Sequence, residues 1–141
     1  MNYKQVIESK YNREAWQQLL HDIFLSKVTF YTRPAAVHVS SRLAKEAFNL
    51  GRISLSDGES IAVYEIELND NVNIERNRRG IRDMLTSDWR NMGYAGAFMF
   101  CYRKNESVLR FSYVSETWGF NKQGEYEKIS TDTKRYTYLL G

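Results

Sequence analysis

The stretch Ile61-Ala62-Val63-Tyr64-Glu65-Ile66-Glu67-Leu68 decides the architecture, because it is apolar and strand-like yet carries two carboxylates. Side chains alternate faces along a strand, so Ala62, Tyr64, Ile66 and Leu68 form one uncharged face that packs on a core. Ile61, Val63, Glu65 and Glu67 share the other face, half apolar and half acid. Ser56-Asp57-Gly58-Glu59 just upstream is a turn signal, and Arg52-Ile53-Ser54-Leu55-Ser56 before it reads as the partner strand of a hairpin. Downstream, Asn69-Asp70-Asn71 breaks the strand and an arginine-rich segment follows. Acids on a strand beside a basic helix point to a divalent metal held against a phosphodiester. The plain alternative is a solvated strand edge preceded by an ordinary turn aspartate.

Toward the N-terminus, Trp16, Leu19, Leu20, Ile23 and Phe24 fall at the three-and-four spacing of a buried stripe and predict a helix over 13–24, with Asn12 as its N-cap. Lys27 to Tyr31 reads as a short strand ended by Arg33-Pro34, since the residue before proline is pushed toward extended geometry. A second helix is expected from Ser40 or Ser41 to Leu50, with Leu43, Ala47, Phe48 and Leu50 inward and Gly51 as a left-handed terminator. Glu46 lies beside that inward stripe.

Beyond the hairpin, residues 74–90 predict a helix, with Ile74, Ile81, Leu85 and Trp89 in a narrow arc and Asn73 as a cap. Arg78 falls inside this apolar arc, where an unpaired guanidinium is costly, so an acid of the preceding strand is its expected partner. Arg76 and Arg79 point away from the arc and Arg82 borders it. Ala95 to Tyr102 is apolar on both faces, as suits a central strand. Val108 to Ser115 returns beside it, Asn121-Lys122-Gln123-Gly124 is a turn, and Lys134 to Leu140 alternates like a last strand. The fold class is therefore α/β (α+β): a central mixed β-sheet flanked by helices.

The 141 residues, 43% of them apolar, fit one domain spanning 1–141 with a substantial core and no linker or repeat. The abrupt end after Leu139-Leu140 suggests a domain excised from a longer protein. The single Cys101, in an apolar run, reads as a buried inert thiol, and a cytoplasmic setting is the default. No signal peptide and no apolar run of about 18 residues is visible, so no membrane is expected. A net charge of +3 leans mildly toward anionic partners. His21 and His38 form no ligand pair with the cysteine, and no phosphate-cradling glycine loop or methyl-donor motif is present.

Metal-assisted phosphodiester cleavage needs carboxylate oxygens converging on Mg²⁺ and a group that positions or deprotonates water. Asp57, Glu65 and Glu67 supply candidates, with Glu46 approaching from the helix in front.

Several stretches together carry a family likeness: Leu55-Ser56-Asp57-Gly58, Ile61 to Leu68, Asn71-Val72-Asn73-Ile74-Glu75-Arg76-Asn77-Arg78 with Ile81-Arg82, Arg110-Phe111-Ser112-Tyr113-Val114, and Lys134-Arg135-Tyr136-Thr137-Tyr138-Leu139-Leu140-Gly141. From about Leu50 onward the chain resembles the N-terminal part of bacterial single-chain restriction-modification enzymes, types IIG and IIS. These join an endonuclease to an adenine-specific DNA methyltransferase. The resemblance implies a restriction-endonuclease-like fold of the PD-(D/E)xK type, with Asp57 and Glu65 as the metal-binding acids for Mg²⁺. Glu67 stands where the family pattern has lysine, and some superfamily members similarly carry glutamate there, as general base or second metal ligand. Arg76, Arg78, Arg79 and Arg82 are then candidates for contact with double-stranded DNA. The methyltransferase and target-recognition parts, with their methyl donor, would lie elsewhere in the longer chain. The runner-up is a catalytically inactive module of the same enzyme that binds DNA or packs between domains.

Overall fold

A computed structural model describes residues 13–55, 58–103 and 108–139 of the chain. The expected caps and turn at Asn12 and at Ser56-Asp57 lie outside those residues. In chain order the elements are helix α1 (Arg13–Phe24), strands β1 (Lys27–Ala36), β2 (Ala44–Ser54) and β3 (Ser60–Leu68), helix α2 (Arg78–Asn91), and strands β4 (Gly96–Tyr102), β5 (Val108–Phe120) and β6 (Tyr126–Leu139). The six strands form one sheet in sequence order. Neighbours are antiparallel except β3 and β4, which run parallel. A parallel pair needs a crossover, and α2 supplies it. The mixed α/β architecture read from the sequence is the one observed.

The two helices cover opposite faces of the sheet. Trp16, Leu19 and Leu20 of α1 pack on Leu50, Ile53, Ile61, Val63, Phe98 and Phe100, with the Trp16 and Phe100 rings 4.3 Å apart. Ile81, Leu85 and Trp89 of α2 pack on Ala62, Tyr64, Ile66, Leu68, Ala97 and Met99. Each fully buried large side chain contributes about 1.5–3 kcal/mol through lost water contact. Between two such layers β3 is buried on both faces along its whole run from Ile61 to Leu68. The solvated-edge alternative for this strand is thereby overturned. Among the described residues no helix is long and apolar enough to cross a membrane.

The helix expected over 40–50 is instead strand β2, and its register explains the misleading pattern. Ala44 pairs with Leu68, Glu46 with Glu67, Asn49 with Tyr64 and Gly51 with Val63, with irregularities between 44 and 46 and between 49 and 51. Each β-bulge sets two residues against one and advances the alternation by a residue. Across these slips the buried residues change sides, Ala44 and Ala47 packing toward α2 and Leu50 and Ile53 toward α1, so no strict alternation marks the strand in the sequence. Gly51, at φ 152°, is not a helix terminator: a Cβ there would lie 2.1 Å from the Thr29 carbonyl oxygen, so only glycine permits β1 to come this close.

The helix after β3 starts later than its apolar pattern suggests. Residues 74–77 form a turn in which Asn73 Oδ1 accepts the Arg76 N–H at 3.0 Å, and α2 begins at Arg78. β5 and β6 are longer than their sequence signals, meeting at a tight turn where Asn121 N–H donates to the Glu125 carbonyl. Phe120 faces Tyr126 across the tip of that hairpin, both exposed.

Candidate active site

Glu65 and Glu67 stand near the carboxyl end of β3, on the α1 side of the sheet, as strand alternation requires. They are 1% and 8% exposed, which the solvated-face alternative did not anticipate. β4 brings Tyr102 alongside Glu67 in parallel register, and the Tyr102 hydroxyl donates to Glu65 Oε1 at 3.2 Å. Glu46 lies directly opposite Glu67 on β2, so the two share a face. It therefore approaches from the neighbouring strand and not from a helix in front. Lys45, at the first bulge of β2, places Nζ 3.9 Å from Glu67 Oε2 and 3.1 Å from Asp70 Oδ1.

Asp57 lies outside the described residues.

The arginines are distributed differently from expectation. α2 lies on the opposite face from Glu65 and Glu67, and Arg78 is not buried in its apolar arc: its side chain is half exposed and its Nη1 is 3.6 Å from Glu75 Oε2. The physical reason is the late helix start, which makes Arg78 the first residue of α2, projecting beyond the part of the stripe that meets the sheet. Arg82 pairs with Asp83 at 3.0 Å, and Arg76 and Arg79 are exposed. Arg76 lies in the turn before α2, Arg78 and Arg79 in its first turn, and Arg82 borders a cleft with Arg90 and Glu116. Arg103, just past β4, donates to the Val72 carbonyl at 2.7 Å.

The α2 face holds a second polar group of a different kind. Glu116 of β5, almost fully buried, receives a two-pronged hydrogen bond from Arg90, and Lys128 Nζ stands 3.6 Å away. That bond raises the pKa of Arg90 above its ordinary value. Tyr64 donates to Asp88 at 2.5 Å. Burial first, and then this bond, pushes its hydroxyl well above the usual tyrosine range. A cleft of about 430 Å³ borders Arg82, Thr86, Arg90, Glu116 and Lys128, but its buried carboxylate is matched to cations already. Cys101 is buried and its thiol is pushed up to about 12 by desolvation alone, as suits the inert thiol expected.

Among the described residues no three His, Cys, Asp or Glu side chains cluster closely enough to enclose a metal ion. The donor chemistry at Glu65 and Glu67 still fits Mg²⁺, which usually keeps several waters and needs only one or two carboxylates beside a substrate phosphate. Two residues of this site were not legible beforehand. Tyr102 depends on the β3–β4 register, and Lys45 was hidden within a segment read as helix. Comparison with protein-family models, with curated proteins and with solved structures finds no match for the chain.

Proposed function

We propose that this chain is the endonuclease domain of a restriction-modification enzyme of type IIG or IIS, hydrolysing phosphodiester bonds of double-stranded DNA with Mg²⁺ in the cytoplasm. The observation that carries the reading is the pair Glu65 and Glu67: two buried carboxylates two residues apart at the carboxyl end of a central strand. Ligands of open α/β sheets bind outside the carboxyl ends of strands. The sequence likeness to the PD-(D/E)xK pattern and the antiparallel β2–β3 pair followed by a crossover helix support it.

In this mechanism Glu65, oriented by the Tyr102 hydroxyl, would hold the metal with Glu46 or Asp57. Mg²⁺, when bound, would neutralise phosphate charge and lower the pKa of a water ligand. Glu67 takes the proton of the attacking water. Arg76, Arg78, Arg79 and Arg82 contact the DNA backbone beside the site, so their loss weakens binding in a salt-dependent way.

The test is cleavage of supercoiled DNA by the full-length protein with Mg²⁺ or Mn²⁺. Glu65→Gln abolishes it, and equal cleavage by wild type and variant sinks the reading. Asp57→Asn distinguishes the two candidates for the other acid. A loss as large as that of Glu65→Gln keeps Asp57 in the site, and unchanged cleavage assigns the role to Glu46. Glu67 in the lysine position is the one observation favouring a second reading, an inactive DNA-binding or inter-domain packing module. Wild type that binds DNA and never cuts it would establish that reading.

A further inference from the structure

We propose that the cleft between α2 and the β5–β6 hairpin, together with the aromatic pair at the hairpin's end, is a binding surface for single-stranded nucleic acid. A phosphate sits in the cleft beside Lys128, and an unstacked base lies on Phe120 and Tyr126. The surface is on the α2 face, away from Glu65 and Glu67, and the inference stands without the nuclease reading.

The hairpin outruns the rest of the sheet. β4 pairs with β5 as far as Gly96 opposite Ser115, and the Glu116 N–H still donates to the Ala95 carbonyl. Beyond that point, residues 117–120 pair only with residues 126–130 among the described residues, as a two-stranded ribbon. The register slip in this ribbon adds Ile129 to β6, so β5 alternates without a break. Val114 packs with the α2 cluster, and Glu116 and Phe120 therefore point to the same face. Tyr126, opposite Phe120, and Lys128, opposite Trp118, join them there. Glu127 pairs with Gly119 and so points to the other face.

Phe120 and Tyr126 are 73% and 64% exposed. Their rings meet edge to face with centroids 5.4 Å apart, so they form one platform at the free end of the ribbon. An exposed apolar patch beside charge marks an interaction site.

The charge beside the platform identifies the partner. Arg90 satisfies the buried Glu116 with two hydrogen bonds, and Asp83 offsets Arg82. Lys128 is then a surplus cation: its side chain is 41% exposed and its Nζ stands 3.6 Å from a carboxylate that Arg90 already holds. The cleft of about 430 Å³ thus has a positive balance, with Thr86 and Ser87 along its wall. Lys128 and Tyr126 are two residues apart on one strand face, about 7 Å, a separation that the phosphate and base of one nucleotide can bridge. A basic groove next to an aromatic platform suits single strands, because an unpaired base offers a face for stacking and a paired one does not.

The experiment binds the full-length protein, without divalent metal, to an oligothymidylate of about ten nucleotides, within the span one such surface covers. One base is 5-iodouracil, and the irradiated complex is mapped by mass spectrometry. The crosslink should fall on Phe120 or Tyr126. Phe120→Ala and Tyr126→Ala should each weaken binding about tenfold, as the loss of one stacked base does, and Phe120→Leu, apolar but without the ring, should behave alike. Lys128→Ala should lower the salt slope by about 0.7, one phosphate contact to a single strand, and Lys128→Arg should keep it. Thermal melting should not move, since all three side chains are exposed. An oligouridylate is run in parallel; binding of either strand at this surface supports the proposal and identifies the strand. Crosslinks that map only elsewhere, equal crosslinking of the same sequence as a duplex, unchanged affinity in the aromatic variants, or a full salt slope in Lys128→Ala overturn it. Glu65→Gln should crosslink as wild type does, so a silent nuclease leaves this surface standing and a failure here leaves the nuclease reading untouched.

Discussion

The two faces of the sheet hold buried charge differently. On the α2 face Asp88 meets the hydroxyl of Tyr64, and Glu116 the guanidinium of Arg90 with Lys128 nearby. Those bonds tie the last turns of α2 to β3 and to the β5–β6 hairpin. On the α1 face two acids, Glu65 and Glu67, come from one strand, whose repeat sets them side by side, with Tyr102 of β4 bonded to Glu65 and Lys45 of β2 near Glu67. The first arrangement suits holding a fold together. The second concentrates like charge, which favours a cation and costs stability, as active sites often do.

The sharpest way to break this contrast is to neutralise one acid on each face. Under the proposed reading Glu65→Gln lowers the cleavage rate by at least about 100-fold, while its urea midpoint stays level or rises because a like-charged neighbour is lost. A large stability loss there would make Glu65 a structural acid like Glu116. Arg90→Ala should do the reverse. It removes the two-pronged bond to buried Glu116 and costs about 1–3 kcal/mol, read as a lower denaturation midpoint, with the cleavage rate per folded molecule retained.

An effect confined to alkaline pH follows from titration. The Cys101 thiol loses its proton near 9 when free and at about 12 in the fold. Its contribution is complete below pH 9 and is lost as pH rises from 9 to 12, because the unfolded chain gives up the proton first. Unfolding free energy should therefore decline above pH 9 by up to about 1.4 kcal/mol per pH unit. Cys101→Ala should flatten the first part of that decline in guanidinium melts. Above pH 10 the raised tyrosines Tyr64 and Tyr94 act in the same direction. Smallest of all is Arg78→Ala. Its pair with Glu75 is exposed, so the midpoint should shift by less than about 0.5 kcal/mol, whereas a buried partner would have made it one of the costliest changes in the chain.

The parts of this fold legible in the sequence are those whose periodicity is unbroken. Trp16, Leu19 and Leu20 mark α1 at its observed bounds, β3 alternates cleanly, and the doubly apolar run to Tyr102 correctly announces a central strand. β2 was not legible, since each bulge inserts one residue and breaks the period of two. The start of α2 was misplaced because Ile74 shares the helical arc while its backbone forms a separate turn, and that placement carried Arg78 with it. Of the candidate site, the shared face of Glu65 and Glu67 followed from strand spacing, while their choice as site residues rested on the family likeness. Their burial, the Tyr102 bond and the proximity of Lys45 arise from strand pairing across long stretches of chain, which local pattern does not encode.

From Ala44 to Ile53 β2 advances nine residues, while its partners on β3, from Leu68 to Ile61, advance seven. Two residues of β2 are therefore surplus to pairing, and this sets its tolerance to chain shortening. Excising Leu50 at the second bulge sacrifices a fully buried side chain yet leaves Asn49 and Gly51 against their present partners. Excising Arg52, which is exposed and looks dispensable, shifts the residues on one side of the cut by one place and turns Ile53 or Gly51 to the wrong side of the sheet. Along this strand, exposure is a poor guide to which residue the chain can spare.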